Sequence, residues 1–203
     1  MRINLTKVNK TSYKIELDDE NIGVLSEKVI RSILDNIETE IISDLQAEEL
    51  FEKVMTKAWN ALLNFIAIRE RSGKECSDYL KRKFVSNNIT SKLLKKAKSY
   101  KYLDDERFCR LYAESLFENG KSLNHIRHKL IEKGIDENLI VNALNELTPK
   151  NSDRLDEIVK KIVKKYNSLP QKKQLEKTLN YLVRNGFEYY EIKEKVKILI
   201  YKG

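Results

Sequence analysis

One string of residues occurs three times, and its recurrence limits the fold more than any other feature. Leu80-Lys81-Arg82-Lys83-Phe84-Val85, Leu130-Ile131-Glu132-Lys133-Gly134-Ile135 and Leu182-Val183-Arg184-Asn185-Gly186-Phe187 stand 50 and 52 residues apart. Each closes a stretch of helical periodicity and places an apolar residue just beyond it. Gly134 and Gly186, like Gly120 earlier, sit where a helix end takes a left-handed residue, a conformation that carries no Cβ penalty in glycine. Phe84 replaces glycine in the first copy, which predicts either a different cap or a middle helix that runs on. A unit of this length cannot bury its own apolar face well, so neighbouring units must stack. The expected architecture is mostly α, with three tandem three-helix repeats in an elongated, curved array.

The punctuation between the strings agrees. Only six Gly and two Pro occur in 203 residues, too few for a loop-rich β-sandwich or a glycine-rich nucleotide fold. Ser43 with Gln46, and Ser72 with Glu75, are spaced as capping boxes. The first opens a long helix whose Leu50, Val54, Ala58, Leu62 and Phe65 recur at three and four, with Trp59 on the same packing surface. The second opens a helix through Leu80, and a third begins near Thr90. Asp104 or Asp105, Ser122 and Asp136 open the next three. Thr148-Pro149-Lys150-Asn151-Ser152 is the clearest break. The first seventeen residues alternate with a period of two, so residues 2–8 and 11–17 read as a β-hairpin. Such a hairpin needs support, and the helix after Ser26, with Val29, Ile30 and Ile33 on one face, can supply it. The domains expected are 1–42 (hairpin plus helix) and three repeats at 43–101, 102–148 and 152–203.

Composition excludes several classes. An apolar share of 41% is too high for a disordered chain. No apolar run approaches the roughly 18 residues that cross a bilayer, and residues 61–68 are broken by Asn64. The N-terminus lacks a signal peptide's continuous apolar segment, so the expected location is the cytoplasm, without a membrane. Cys76 and Cys109, 33 positions apart and in no CxxC, read as small apolar residues or free thiols. His125 and His128 lack the further ligands a zinc site needs. Glu191-Ile192-Lys193 lacks the strand-borne Asp of a nuclease. No phosphate-loop, dinucleotide or hydrolase motif occurs. The chain is therefore expected not to be an enzyme, with no catalytic residue, metal or cofactor.

Charge points to a partner. The net charge of +8 is unevenly spread: residues 54–101 carry 12 basic and 3 acidic side chains, residues 151–203 carry 13 and 7, and the other two segments are net acidic. Basic blocks of this kind are the footprint of a surface that meets phosphates, or else an ordinary solvated face. Lys81, Arg82 and Lys83 end one helix, and Lys92, Lys95, Lys96 and Lys98 run along the next. Lys160, Lys161, Lys164 and Lys165 lie opposite Val159, Ile162 and Val163 at i, i+1, i+4, i+5. Like charges four apart cost a few tenths of a kcal/mol unless an anion offsets them. These clusters are candidates for sequence-independent phosphate binding. Arg69 and Arg71 are candidates for bridging repeats or meeting a partner. Tyr79, Tyr100, Tyr102, Tyr189, Tyr190 and Tyr201 suit base stacking, although tyrosine at helical spacing more often enters a core.

Three landmark strings carry a family resemblance: residues 61–72, 102–108 and 182–192. Within them Arg69, Arg71, Ser72 and Glu75 match an Arg-x-Arg-Ser followed by Glu. Asp104, Asp105 and Phe108 match an Asp-Asp-x-x-Phe, and Arg184, Gly186 and Phe187 an Arg-x-Gly-Phe. In this order the chain resembles the RecX family of bacterial recombinase regulators, over essentially its whole length; Phe84 and Cys76 depart from the pattern. The resemblance implies a non-enzymatic, monomeric modulator of RecA that binds the RecA–single-stranded DNA filament and limits its extension, strand exchange and ATP hydrolysis. Its partners would be that filament and single- or double-stranded DNA, with Arg184 joining the lysine clusters and Asp104 and Asp105 joining the inter-repeat contacts. The alternative is a DNA-binding protein that acts without any recombinase.

Overall fold

Alternating residues near the N-terminus do form strands, one more than the periodicity suggests. The computed structural model describes residues 1–148 and 151–201, apart from the side chains of 151–153. β1 (Ile3–Asn9), β2 (Ser12–Leu17) and β3 (Glu20–Ser26) make an antiparallel sheet in sequence order, so the expected two-stranded hairpin is corrected to three strands. The second turn is Asp18-Asp19, both at positive φ (46° and 65°), a two-residue hairpin turn made without glycine. Asp18 helps by accepting the Arg2 amide at 2.7 Å.

Opposite Ile15 and Glu16 the β3 register slips by one residue at Ile22. This bulge brings Gly23 against the long helix, where a Cβ on Gly23 would lie 2.5 Å from a Val54 methyl. The main support of the sheet is therefore α2 (Asp44–Ala67). The expected helix after Ser26 is only α1 (Glu27–Arg31), which contributes the fully buried Ile30. Ile3, Ile15 and Leu25 pack with Leu50, Val54 and Leu62 in one core.

Helices follow from there: α3 (Gly73–Arg82), α4 (Asn87–Ser99), α5 (Asp105–Glu118), α6 (Leu123–Glu132), α7 (Glu137–Leu147), α8 (Asn151–Lys165), α9 (Gln171–Arg184) and α10 (Tyr189–Tyr201). Three triads, α2–α4, α5–α7 and α8–α10, thus succeed the sheet. Both capping boxes form: Ser43 and Ser72 each accept an amide at 3.2 Å, and Gln46 and Glu75 reach back to the capping amides. α4 begins three residues ahead of Thr90 because Ser86 accepts the Ile89 amide. Of the break expected at 148–152, residues 149 and 150 lie outside the described residues; Thr148 caps α7, and α8 already begins at Asn151.

The middle helices α3, α6 and α9 end alike. Phe84, Gly134 and Gly186 take φ of 62°, 71° and 87°. The amides of Val85, Ile135 and Phe187 then donate back to the carbonyls of Leu80, Leu130 and Leu182 at 3.1–3.2 Å, and all three following side chains are buried. Neither expectation for Phe84 holds. The cap is the same and the helix stops at the same place, with a bulky residue held in a left-handed conformation that disfavours a Cβ by about 1–2 kcal/mol.

Compact packing divides the chain into Met1–Asp105 and Glu106–Gly203. In the first unit, Asp105 accepts the Gly73 amide at the start of α3 (2.7 Å) and Lys98 of α4 (2.8 Å). In the second, the start of α6 is held by the end of α9. The Ser122 amide donates to the Asn185 carbonyl, the Ser122 hydroxyl to the Gly186 carbonyl (2.6 Å), and Lys121 to the Asn185 side chain (2.6 Å). Arg154 of α8 adds a cation over the Phe117 ring of α5, 3.5 Å from its centroid.

Both cysteines are buried and neither is in a disulfide. Burial first, then the carboxylates of Glu75 and Asp105, push the Cys76 thiol up to about 12. Only roughly one molecule in ten thousand then carries the thiolate at pH 8. Cys76 is accordingly expected to resist iodoacetamide at pH 8 in the native protein and to label fully in denaturant, as mass spectrometry would report. Rapid native labelling would contradict this burial.

Candidate nucleic-acid interface

Helical geometry sorts the lysines of α4. Leu93 and Ala97 face the core, and Lys92, Lys95, Lys96 and Lys98 are all exposed, but they do different things. Lys98 is tied to Asp105, so it positions the α5 entrance and is removed from the free cations. Lys92 and Lys96, one turn apart, lie over aromatic rings of α2: Lys92 is 5.2 Å from the Phe51 centroid and Lys96 4.8 Å from Trp59. Lys95 is exposed and pairs with no carboxylate among the described residues.

The aromatic surface beneath these lysines is larger than the sequence suggests. At the end of α4, Lys101 takes φ 58°, and the Tyr102 amide returns to the Ala97 carbonyl at 3.0 Å. This turn brings Tyr100 and Tyr102 back onto Trp59. Their centroids are 6.3 and 6.4 Å from the indole and 5.7 Å from each other. Tyr100 is 55% exposed and Tyr102 48%. Two exposed tyrosines resting on a half-buried indole, with the Lys96 ammonium over the same rings, can stack unstacked bases and hold their phosphates. Trp59 is half-buried against the core, as its spacing predicts, and its outer part forms the base on which the two exposed tyrosines rest. The signal of this platform was the Tyr100-Lys101-Tyr102 string directly after a lysine-rich helix.

The other tyrosines divide. Tyr79 is half-buried, stacked on Phe65 at 4.1 Å, whereas Tyr189, Tyr190 and Tyr201 are at least half exposed rather than core residues. Lys81, Arg82 and Lys83 are exposed at the end of α3, and Lys83 lies 5.7 Å from the Tyr79 ring.

Arg69 and Arg71 both make contacts within the first triad. Arg69 pairs with Glu75 at 2.8 Å, and the Arg71 guanidinium lies 4.0 Å over Phe65. Together they fix the turn between α2 and α3. Of the two aspartates, Asp105 makes the contacts to Gly73 and Lys98 described above, and Asp104 stands half-buried immediately before α5.

On α8, Lys160, Lys161, Lys164 and Lys165 are all exposed on the side opposite the buried Val159 and Ile162. None pairs with a carboxylate among the described residues, and Lys165 lies 5.1 Å over the Tyr181 ring. Arg184, at the end of α9, is exposed and also without a carboxylate partner there. Among the described residues no cluster of acidic, His or Cys side chains could hold a metal, and no helix is long and apolar enough to cross a membrane.

Known proteins bear on this arrangement directly. The family model for the second three-helix domain of RecX matches residues 104–144. The regulatory protein RecX of Bacillus licheniformis is 32% identical over 192 residues, 93% of this chain and 68% of that protein. Its counterpart in Bacillus subtilis is 29% identical over 192 residues, 93% and 72% of the two chains. A crystal structure of regulatory protein RecX superposes with a TM-score of 0.61 at 22% identity, covering 95% of this chain and 98% of that one. The crystal structure of RecX from Lactobacillus salivarius gives 0.58 at 24% identity, covering 71% and 96%. The solved structures share the helical fold, and sequence identity sustained across nine-tenths of the chain goes further: this chain belongs to the RecX family of regulatory proteins.

Proposed function

We propose that this RecX-family chain binds the RecA–single-stranded DNA filament and restrains its extension, strand exchange and ATP hydrolysis. The observation that carries the reading is the platform of Trp59, Tyr100 and Tyr102 beneath Lys96, with Lys92 one turn away over Phe51. Unpaired lysines are attracted to any polyanion, but exposed rings beside them favour a strand whose bases are free to stack. The α8 lysine row and Arg184 add sequence-independent attraction to phosphates, and no catalytic group is needed. Strand exchange and recombinase ATP hydrolysis, measured with and without this protein, test the reading. Both should slow, and rates left unchanged at saturating protein would refute it.

A second reading, direct DNA binding without a recombinase, is favoured by the same platform, since stacking needs no protein partner. It predicts a steep salt dependence on bare DNA and no effect on the recombinase. Each base stacked on an aromatic ring contributes about 1–3 kcal/mol. Trp59→Ala with Tyr102→Ala is therefore expected to weaken single-strand binding by at least tenfold while changing duplex binding less than threefold, as fluorescence anisotropy would show. Equal losses on both would remove base stacking from the interface.

A further inference from the structure

A cavity of about 370 Å³ opens between the sheet and the first triad, away from the Trp59 platform. Its floor is apolar, made by Val24, Val54, Ala58 and Val85, and its rim carries Lys57, Arg82, Lys83 and Phe84. Such a volume is at the small end for ligand sites, about 300–1,000 Å³, and suits a single small molecule rather than a polymer lying flat.

Two features set this cavity apart from an ordinary crevice. The first is Phe84. The equivalent positions in the other triads are Gly134 and Gly186, which adopt the same left-handed backbone without strain, yet here a phenyl ring stands at φ 62° and remains 50% exposed. The ring adds little burial to repay an unfavourable backbone, and strain retained in this way marks functional positions. The turn is held from β3, whose Asn21 side chain donates to the Phe84 carbonyl at 3.1 Å. The second feature is the charge. No carboxylate among the described residues pairs with Lys57, Arg82 or Lys83. Lys57 is anchored on the Val24 carbonyl at 2.9 Å, and burial, reinforced by Lys83, holds its ammonium below the usual lysine range. A bound anion would relieve that repulsion.

An exposed ring, an apolar floor and three uncompensated cations complement a planar base that carries phosphate. We propose that this cavity is a mononucleotide-binding site, with the base against Phe84 and the phosphate at Lys57, Arg82 and Lys83. The nucleotide can be free or the phosphorylated end of a strand. The site goes beyond the filament reading: charge reversal on α8, which tests that reading, leaves this cavity untouched.

Calorimetric titration of the full chain with 5′-dAMP, deoxyadenosine, inorganic phosphate and 5′-phosphorylated oligo-dT is the test. Saturable binding of 5′-dAMP, at least tenfold tighter than nucleoside or phosphate alone, is expected. Saturation by the 5′-phosphorylated oligonucleotide alone, lost in the variants below, would support the site and identify a strand end as the source. Phe84→Gly should raise the melting temperature by roughly 4 °C, because it relieves the backbone, while weakening binding at least tenfold. Lys83→Gln should weaken phosphate-bearing ligands only. No saturable binding at millimolar concentration, undiminished affinity in Phe84→Gly, or a lower melting temperature in that variant would each overturn the proposal.

Discussion

Replacing Gly186 by alanine is expected to destabilise the second unit by about 3 kcal/mol. Two costs combine. Gly186 stands at φ +87°, where a Cβ costs about 1–2 kcal/mol. That Cβ would also lie 2.5 Å from the Ser122 hydroxyl and 2.7 Å from the His125 Cβ, and forced overpacking of this kind costs about 1–3 kcal/mol. The contacts at risk are those joining the entrance of α6 to the exit of α9. Gly120 supplies the control. It has a similar φ of +78° but nothing within 4 Å of the added atom, so Gly120→Ala should cost only the backbone term, about 1 kcal/mol. Urea unfolding of the two variants decides the matter. Equal losses would mean that the α6–α9 contact does not constrain Gly186.

Changing Lys160, Lys161, Lys164 and Lys165 together to glutamate is expected to abolish most of the electrostatic attraction to DNA supplied by the second unit. Four phosphate contacts on a single strand correspond to a salt-dependence slope of about −2.8. Their loss amounts to roughly 4,000-fold in affinity at 50 mM salt and about 100-fold at 200 mM. The four side chains are exposed and the buried face of α8 is unchanged, so circular dichroism should be that of the parent. Filament inhibition should fall most at low salt. Unaltered inhibition in the folded variant would remove this row from the mechanism.

Local signals made much of the fold legible, and long-range ones concealed the rest. Ser43, Ser72, Ser122 and Asp136 each accept an amide within three residues, so the helix entrances could be placed from neighbours in sequence. The third strand was hidden because its turn, Asp18-Asp19, reaches positive φ without glycine. The early start of α4 carries little local signal because Asn87 and Asn88 are poor helix formers; the Ser86 cap and the burial of Ile89 and Leu93 together make them helical.

Site residues divide in the same way. That lysines line α4 and α8 follows from a period of 3.6. That Lys98 pairs with Asp105 while Lys96 covers Trp59 depends on where α5 and α2 lie, which no local pattern carries. Periodicity also assigns aromatics to a buried face without saying how far that face extends. Trp59 lies at its edge, half-buried, and Tyr100 and Tyr102 fall beyond it because α4 ends there and its cap turns the chain back.

The junction of Ser122 with Asn185 and Gly186 has one more consequence. The residue that caps α6 bonds, through both its amide and its hydroxyl, to carbonyls some sixty positions downstream, so the entrance loses those two bonds when that segment is removed. A shortened chain ending after α7 should therefore melt at a lower temperature, and in the full chain a single cooperative transition should embrace everything from α6 to α10.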